Sequence, residues 1–353
     1  MEHVINSECE MRNAELENGV VAELFKQASI NNSESGIRNV NLKKIRIGTR
    51  GSKLALWQAN LVKLALTATY PEIEVELVHI TTKGDKILDS PLSKIGGKGL
   101  FTKELELQML DENIDIAVHS LKDVPAQLPD EFTIAAITKR TDPFDAFVSN
   151  KYNSLKELPK NAKVGTSSLR RRAQLLAIRP DLQIENLRGN VNTRLNKLDE
   201  NSFDAIILAA AGLKRLGYES RITEILSTSE MLPAVGQGAI AIETLKTNSE
   251  ILEMLKFMDD KETRAATSAE RAFLRMVEGG CQVPVGVYAC IEGNKITAEA
   301  VIASLDGKKI IRDKLSGSLE EAEYIGEDLA GKLLYTGGHE ILQSIMTSSE
   351  SLT

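Results

Sequence analysis

Ile45-Arg46-Ile47-Gly48-Thr49-Arg50-Gly51-Ser52 is the stretch that decides how this chain folds. A short β-branched run ends in glycine and hydroxyl residues, and behind it Leu54, Trp57, Leu61, Leu64 and Ala68 recur at helical spacing. Strand, turn and helix in that order open an α/β unit. Residues 73–80 follow with period-two alternation, then a glycine-rich loop, a helix over 102–112 and a strand over 114–119. Alternation of this kind predicts a mainly parallel sheet covered on both faces.

The opening pattern returns at Gly165-Thr166-Ser167-Ser168-Leu169-Arg170, again after a strand and before a helix. Around it, strands over 146–149, 163–165, 183–187 and 205–210 and helices over 168–178 and 191–198 make a second α/β domain. Residues 232–243, with Gly236 and Gly238, read as a strand returning to complete the first sheet. The chain then crosses twice, near 138–143 and 231–238, which makes a hinge. After residue 261 a helix with Ala265, Ala269, Phe273 and Met276 precedes strands over 285–291, 295–304 and 309–315 and closing helices from Leu319 and His339. The expected class is α/β: two hinge-linked α/β domains resembling periplasmic binding proteins, plus a smaller α+β C-terminal domain. Expected boundaries are 42–140 with 237–258, then 141–236, then 261–347.

Residues 1–41, rich in Glu, Asn and Ser, read as a mostly disordered acidic extension in which 20–28 form a fleeting turn, with a short amphipathic helix as the alternative. Three cysteines, Cys9, Cys281 and Cys290, lack metal-ligand spacing and point to a reducing compartment. With no bilayer-length apolar run and no signal-peptide pattern, the expectation is a cytoplasmic protein without a membrane partner. A formal net charge of −7 argues against a nucleic-acid partner. Yet Lys163, Arg170, Arg171, Arg172, Arg179, Arg188, Arg194 and Lys197 crowd one segment, the pattern of a focused anion site or of a solvated helix face.

Both glycine-threonine turns place helix N-termini, hydroxyls and a guanidinium together, which suits carboxylate or phosphate. Capping accounts for either turn alone; the pair, with the arginines, favours two domains facing one polyanion. Arg172 and Arg179 are expected at the surface. At the end of the strand over 114–119, His119-Ser120-Leu121-Lys122-Asp123 leaves the sheet where α/β folds place ligands. Asp123 is a candidate catalytic carboxylate that steadies a cation, with a salt bridge to Lys122 or a helix cap as the alternative. His119 and Ser120 point to opposite faces, so no hydrolase dyad is expected. Gly96-Gly97-Lys98-Gly99 lacks the spacing of a phosphate loop and suits a lid carrying Lys98. No clustered ligands support a metal. Cys281, between Gly280 and Gln282, either presents a thiol for covalent attachment or is an inert buried cysteine.

These motifs together resemble the porphobilinogen deaminase (hydroxymethylbilane synthase) family, from about residue 44 to 345. The resemblance rests on 48–52 with Leu54-Ala55-Leu56-Trp57-Gln58, on 118–125, on 165–171, on Leu187-Arg188-Gly189-Asn190 with Thr193-Arg194, on 232–238 and on 278–284. It implies a transferase that joins four porphobilinogen molecules into hydroxymethylbilane with release of ammonia, primed by a dipyrromethane cofactor in thioether linkage to Cys281. It implies that Asp123 contacts pyrrole nitrogens and stabilises the azafulvenium formed as ammonia leaves. Ser120, Lys122, Asp123, Thr166, Ser168, Arg170, Arg171, Arg188 and Gly189 would hold the cofactor; Arg50, Ser52, Gln58, Lys98, Arg188, Arg194 and Arg215 would receive substrate, with Phe101 in the lid. The expected state is a monomer in porphyrin and heme biosynthesis.

Two positions depart from the family pattern. Phe144 stands where a basic residue is usual, so a salt bridge at the domain crossing is expected to be either missing or replaced by apolar packing, and Arg172 extends the arginine pair, either in compensation or facing solvent. The alternative reading is a non-enzymatic two-domain small-anion-binding protein, which shares the hinge-and-cleft architecture but predicts no covalent adduct. A ligand-sensing regulator is the other rival, and no helix-turn-helix or basic DNA-facing segment supports it.

Overall fold

Alternating burial builds the first strand, β1 (Lys44–Thr49): Ile45 and Ile47 are buried while Lys44 stays exposed. Helix α1 (Lys53–Thr69), capped by Ser52 accepting from the Ala55 N–H, lays Trp57, Leu61, Val62 and Leu66 over it. The computed structural model describes residues 42–86, 99, 102–277 and 283–350. The expectations for 1–41, Lys98, Phe101 and Cys281 lie outside the described residues.

Strands β2 (Glu74–His79), β3 (Ile116–Ser120), β4 (Phe132–Ile137) and β10 (Ile240–Leu245) join β1 in the order β2-β1-β3-β10-β4. A second sheet of β5 (Asp145–Val148), β6 (Lys163–Gly165), β7 (Gln183–Glu185), β8 (Ala205–Ala209) and β9 (Glu224–Ile225) runs β7-β6-β8-β5-β9. Helix α2 (Lys103–Leu110) covers the first sheet; α3 (Leu169–Ile178), α4 (Val191–Asp199) and α5 (Ala210–Arg215) belong to the second, and α6 (Ser249–Met254) follows β10.

Four strands of each sheet run one way, as the mainly parallel reading expects, and one, β10 in the first sheet and β5 in the second, runs against them. The crossings supply the reason. β3, β6 and β8 end beside the cleft between the sheets, whereas β10 and β5 begin there, having just arrived from the other domain, and must run away from it. The return strand starts at Ile240 rather than 232, because Gly236 and Gly238 hold φ of +69° and +94°, outside any ladder geometry. β4, β9, α5 and α6 had no clear periodic signal.

In the C-terminal domain, β11 (Val285–Glu292), β12 (Lys295–Ala303) and β13 (Ile310–Ser318) form an antiparallel sheet. Helices α7 (Lys261–Met276) and α8 (Ala322–Leu333) pack on it through Ala269, Phe273, Ile325 and Leu329, and α9 (His339–Glu350) closes the chain. Gly326 permits the close approach of α8 to α7, since a Cβ there would stand 2.0 Å from the Ala269 carbonyl oxygen. Phe144 lies 5.6 Å, ring centre to ring centre, from Tyr288, over which the Arg140 guanidinium sits at 5.2 Å, so apolar packing does occupy the crossing.

Candidate active site

The end of β3 delivers Ser120, and a single 3-10 turn, Leu121–Asp123, carries the next three residues into the cleft. The turn is pinned by Leu121 N–H to the Ala239 carbonyl (3.0 Å) and Val124 N–H to the Leu121 carbonyl (3.1 Å). Asp123 is half-buried and lines a cavity of about 600 Å³ together with Arg50, Lys53, Lys122, Arg171, Arg188, Arg194 and Arg215. Among the described lining residues it is the one carboxylate. A volume of this order suits a small organic ligand, and the surplus of cations suits one bearing several carboxylates.

Burial sets the electrostatics. Lys122 donates to Gln237 Oε1 (3.3 Å), and burial pushes its ammonium down to about 8 against the opposing pull of Asp123. Arg194 donates from Nε to the Gly189 carbonyl (2.8 Å); burial, and then the Arg171 cation, lower it to about 10, while Asp123 opposes them. Arg215 bridges both crossings, donating to the Gly238 carbonyl (2.7 Å) and Thr141 Oγ1 (3.2 Å), and stacks 5.6 Å above Trp57 of the first domain. Burial lowers it to about 10, and its buried Nε has no hydrogen-bond partner among the described residues. A ligand carboxylate is the natural acceptor for such a donor.

Arg50, Ser52, Ser120, Lys122, Asp123, Arg171, Arg188, Gly189, Arg194 and Arg215 share this cavity wall. Gln58, Thr166, Ser168 and Arg170 are not on it. Gln58 Nε2 donates to Ser120 Oγ (2.8 Å); Thr166 Oγ1 accepts from the Ser168 N–H (3.2 Å), and Ser168 caps α3. Arg170 and Arg171 grip one buried carboxylate, Asp145, at 2.6 and 2.7 Å. That pair holds Asp145 far below the usual carboxylate range despite its burial. Only Arg171 of the two reaches the cavity wall. Arg172 is exposed as expected, whereas Arg179 is half-buried, paired with Asp181 at 2.7 Å and donating to the Leu155, Leu158 and Pro159 carbonyls, so the basic segment divides between cleft, surface and an internal clamp.

Sequence reasoning missed Asn190, Asn192 and Gln237 on the wall and Asp145 behind it. The glycine-flanked position of Gln237 was the available signal; Asp145 offered none. His119 pairs with buried Glu243 at 2.9 Å rather than with Ser120. No metal-ligand group occurs among the described residues, and none of their helices is long and apolar enough to cross a membrane.

Two family models match the chain: "Porphobilinogen deaminase, dipyromethane cofactor binding domain" over residues 45–253 and "Porphobilinogen deaminase, C-terminal domain" over 265–335. The chain is 58% identical over 254 residues to a porphobilinogen deaminase of Ruthia magnifica subsp. Calyptogena magnifica, covering 72% of this chain and 84% of that one. It is 58% identical over 250 residues to one of Lawsonia intracellularis, covering 71% and 81%. Among solved structures, the methionine-binding protein MetQ overlaps 61% of this chain and 88% of its own at 16% identity and a TM-score of 0.40. The matched models and relatives place this chain in the porphobilinogen deaminase family, as an enzyme of tetrapyrrole biosynthesis with a dipyrromethane cofactor.

Proposed function

We propose that this cleft joins four porphobilinogen molecules into hydroxymethylbilane, releasing ammonia at each addition and freeing the product from the primer by adding one water, with Asp123 as the carboxylate that steadies the developing cation. The single observation that carries the reading is one carboxylate facing a wall of cations drawn from both sheet domains. Each pyrrole brings an acetate and a propionate, and Arg50, Arg188, Arg194 and Arg215 are the groups to pair with them. The buried Nε of Arg215, without a hydrogen-bond partner among the described residues, fits a carboxylate of the substrate or of the dipyrromethane. Ser120, Lys122, Thr166, Ser168, Arg170, Arg171, Arg188 and Gly189 would hold it, Thr166, Ser168 and Arg170 acting from behind the wall. Lys98 belongs to the proposed lid, and Cys281 is the proposed thioether anchor.

When bound, the cofactor supplies the nucleophilic pyrrole end onto which the first substrate is joined. The protein's own part is electrostatic and positional. The arginines fix the acid side arms so that the substrate's aminomethyl carbon faces the cofactor. As ammonia departs, positive charge spreads over the substrate's pyrrole ring, and a fixed anion in a partly desolvated cleft stabilises it more than water does. Gln58 fixes Ser120, and Asp145 fixes Arg171, so the charged groups do not reorganise during the step. A monomer acting in the cytoplasm is part of the same proposal. The proposed units are 42–140 with 237–258, 141–236 and 261–347.

The test is the intact mass of purified active protein before and after incubation with porphobilinogen. The expected mass exceeds that of the sequence by two linked pyrroles, and then climbs in one-pyrrole steps. A mass equal to the sequence in protein that turns over substrate defeats the covalent primer. Reversible uptake with no adduct favours the anion-binding alternative.

A further inference from the structure

Helix α7 carries a buried cation that the cleft does not use. Arg271 is 8% exposed, and burial, reinforced by Arg275 and opposed by Glu243, lowers its guanidinium to about 10. Among the described residues its hydrogen-bond partners are three successive carbonyl oxygens: Val124 (3.4 Å), Pro125 (2.7 Å) and Ala126 (3.2 Å). These residues follow Asp123 directly. The preceding helix residue, Glu270, is fully buried and accepts from Arg140, from the Gly236 N–H (2.7 Å) and from the Ala289 N–H (2.9 Å). Two consecutive residues of one helix therefore hold the exit of the reactive turn and both segments that cross between the sheet domains.

Burying a guanidinium without a paired carboxylate is costly, and packing alone would be served as well by an apolar side chain of similar volume. What the guanidinium adds is direction: its planar fork fixes the orientation of the peptide planes at 124–126. The other side of the turn is tied to the first sheet by the Leu121 N–H to Ala239 bond.

We propose that Arg271 is a positioning residue through which the C-terminal domain sets where the Asp123 carboxylate stands in the cleft. This rests on the reading of Asp123 given above. Its consequence is that the helix leading into the Cys281 segment and the reactive carboxylate keep a fixed distance while the two sheet domains move about their crossings. Without the clamp, residues 124–126 lose these three hydrogen bonds and the turn is held from one side only.

The experiment compares wild type, Arg271→Met and Arg271→Lys as cofactor-loaded proteins, each assayed well below its own Tm. Arg271→Met is expected to lose about tenfold to hundredfold in kcat, the scale of a displacement near 1 Å, with KM for porphobilinogen within about threefold. Arg271→Lys keeps a cationic donor and should recover part of the loss. Amide hydrogen exchange over 121–126 should quicken in Arg271→Met. Wild-type kcat in both variants, whatever their Tm, overturns the proposal. If Arg271→Met does not fold, Arg271→Lys decides alone, because one ammonium cannot span three carbonyls, and an unchanged kcat and exchange rate there overturns it. A wild-type protein inactive on porphobilinogen would instead remove the functional reading, while the exchange data would still judge the clamp.

Discussion

Replacing Asp145 with asparagine isolates the element that holds the cation wall in place. The carboxylate is fully buried and accepts from Arg170 Nη1 (2.6 Å), Arg171 Nε (3.0 Å) and Nη2 (2.7 Å), and Gln237 Nε2 (3.0 Å). The substituted amide would offer one acceptor and turn an N–H donor toward a guanidinium, leaving buried positive charge uncompensated. Breaking a buried ion pair from one side costs about 3 to 5 kcal/mol, and with two cations sharing the anion the upper half of that range is expected. At about 2 to 4 °C per kcal/mol, Tm should fall by roughly 10 to 20 °C. Because the folded carboxylate lies below its unfolded value of 3.8, its contribution is complete above that pH, fades as pH falls from there, and is gone once pH passes below the folded value. Urea titrations of Asp145→Asn and wild type should therefore differ by a constant amount from neutral pH down to about 5. KM for porphobilinogen should also rise, since Arg171 on the wall loses its anchor. A difference below about 1 kcal/mol would refute the argument, because a surface pair costs no more than that.

Other outcomes follow from the same geometry. With Lys122 lowered to about 8, the affinity of wild type for a carboxylate ligand should weaken as pH climbs above that value, and Lys122→Met should remove this dependence; superimposable pH profiles of KM would contradict it. Arg188→Leu should raise KM by about tenfold to hundredfold through the loss of one charge-assisted contact, and unchanged kinetics would deny Arg188 its place on the ligand. Gly238→Ala puts a Cβ 2.8 Å from the Thr141 carbonyl oxygen at φ +94°, whereas Gly293→Ala at φ +62° meets nothing within 4 Å. Calorimetry should find the first variant less stable than the second by about 1 to 3 kcal/mol, and equal losses would show that the crossing tolerates the shift.

How far the sequence carried depended on whether a residue's partner lay close along the chain. The strand-turn-helix units at Gly48–Ser52 and 165–170 were legible because periodicity and capping are local, and Ser52 and Ser168 do cap their helices. The C-terminal helix and three strands were legible for the same reason. Asp123 was placed by its position past a strand end. Arg170 could not be placed: its anion, Asp145, lies 25 residues earlier on a strand that is antiparallel to β8, and no pattern in the sequence announces that meeting. Strand direction at β5 and β10 was equally hidden, since it follows from which side of the cleft the chain crosses. Gln237 works in the same non-local way, joining Lys122 to Asp145 across the two domains.

The most direct test of the central claim is single-turnover consumption of porphobilinogen by cofactor-loaded Asp123→Asn. The variant preserves shape and removes one negative charge, so the expected result is native-like folding and an unchanged pyrrole mass, with the rate lowered by about a hundredfold to a thousandfold. A rate within threefold of wild type would show that no fixed anion at residue 123 is needed to carry the cation.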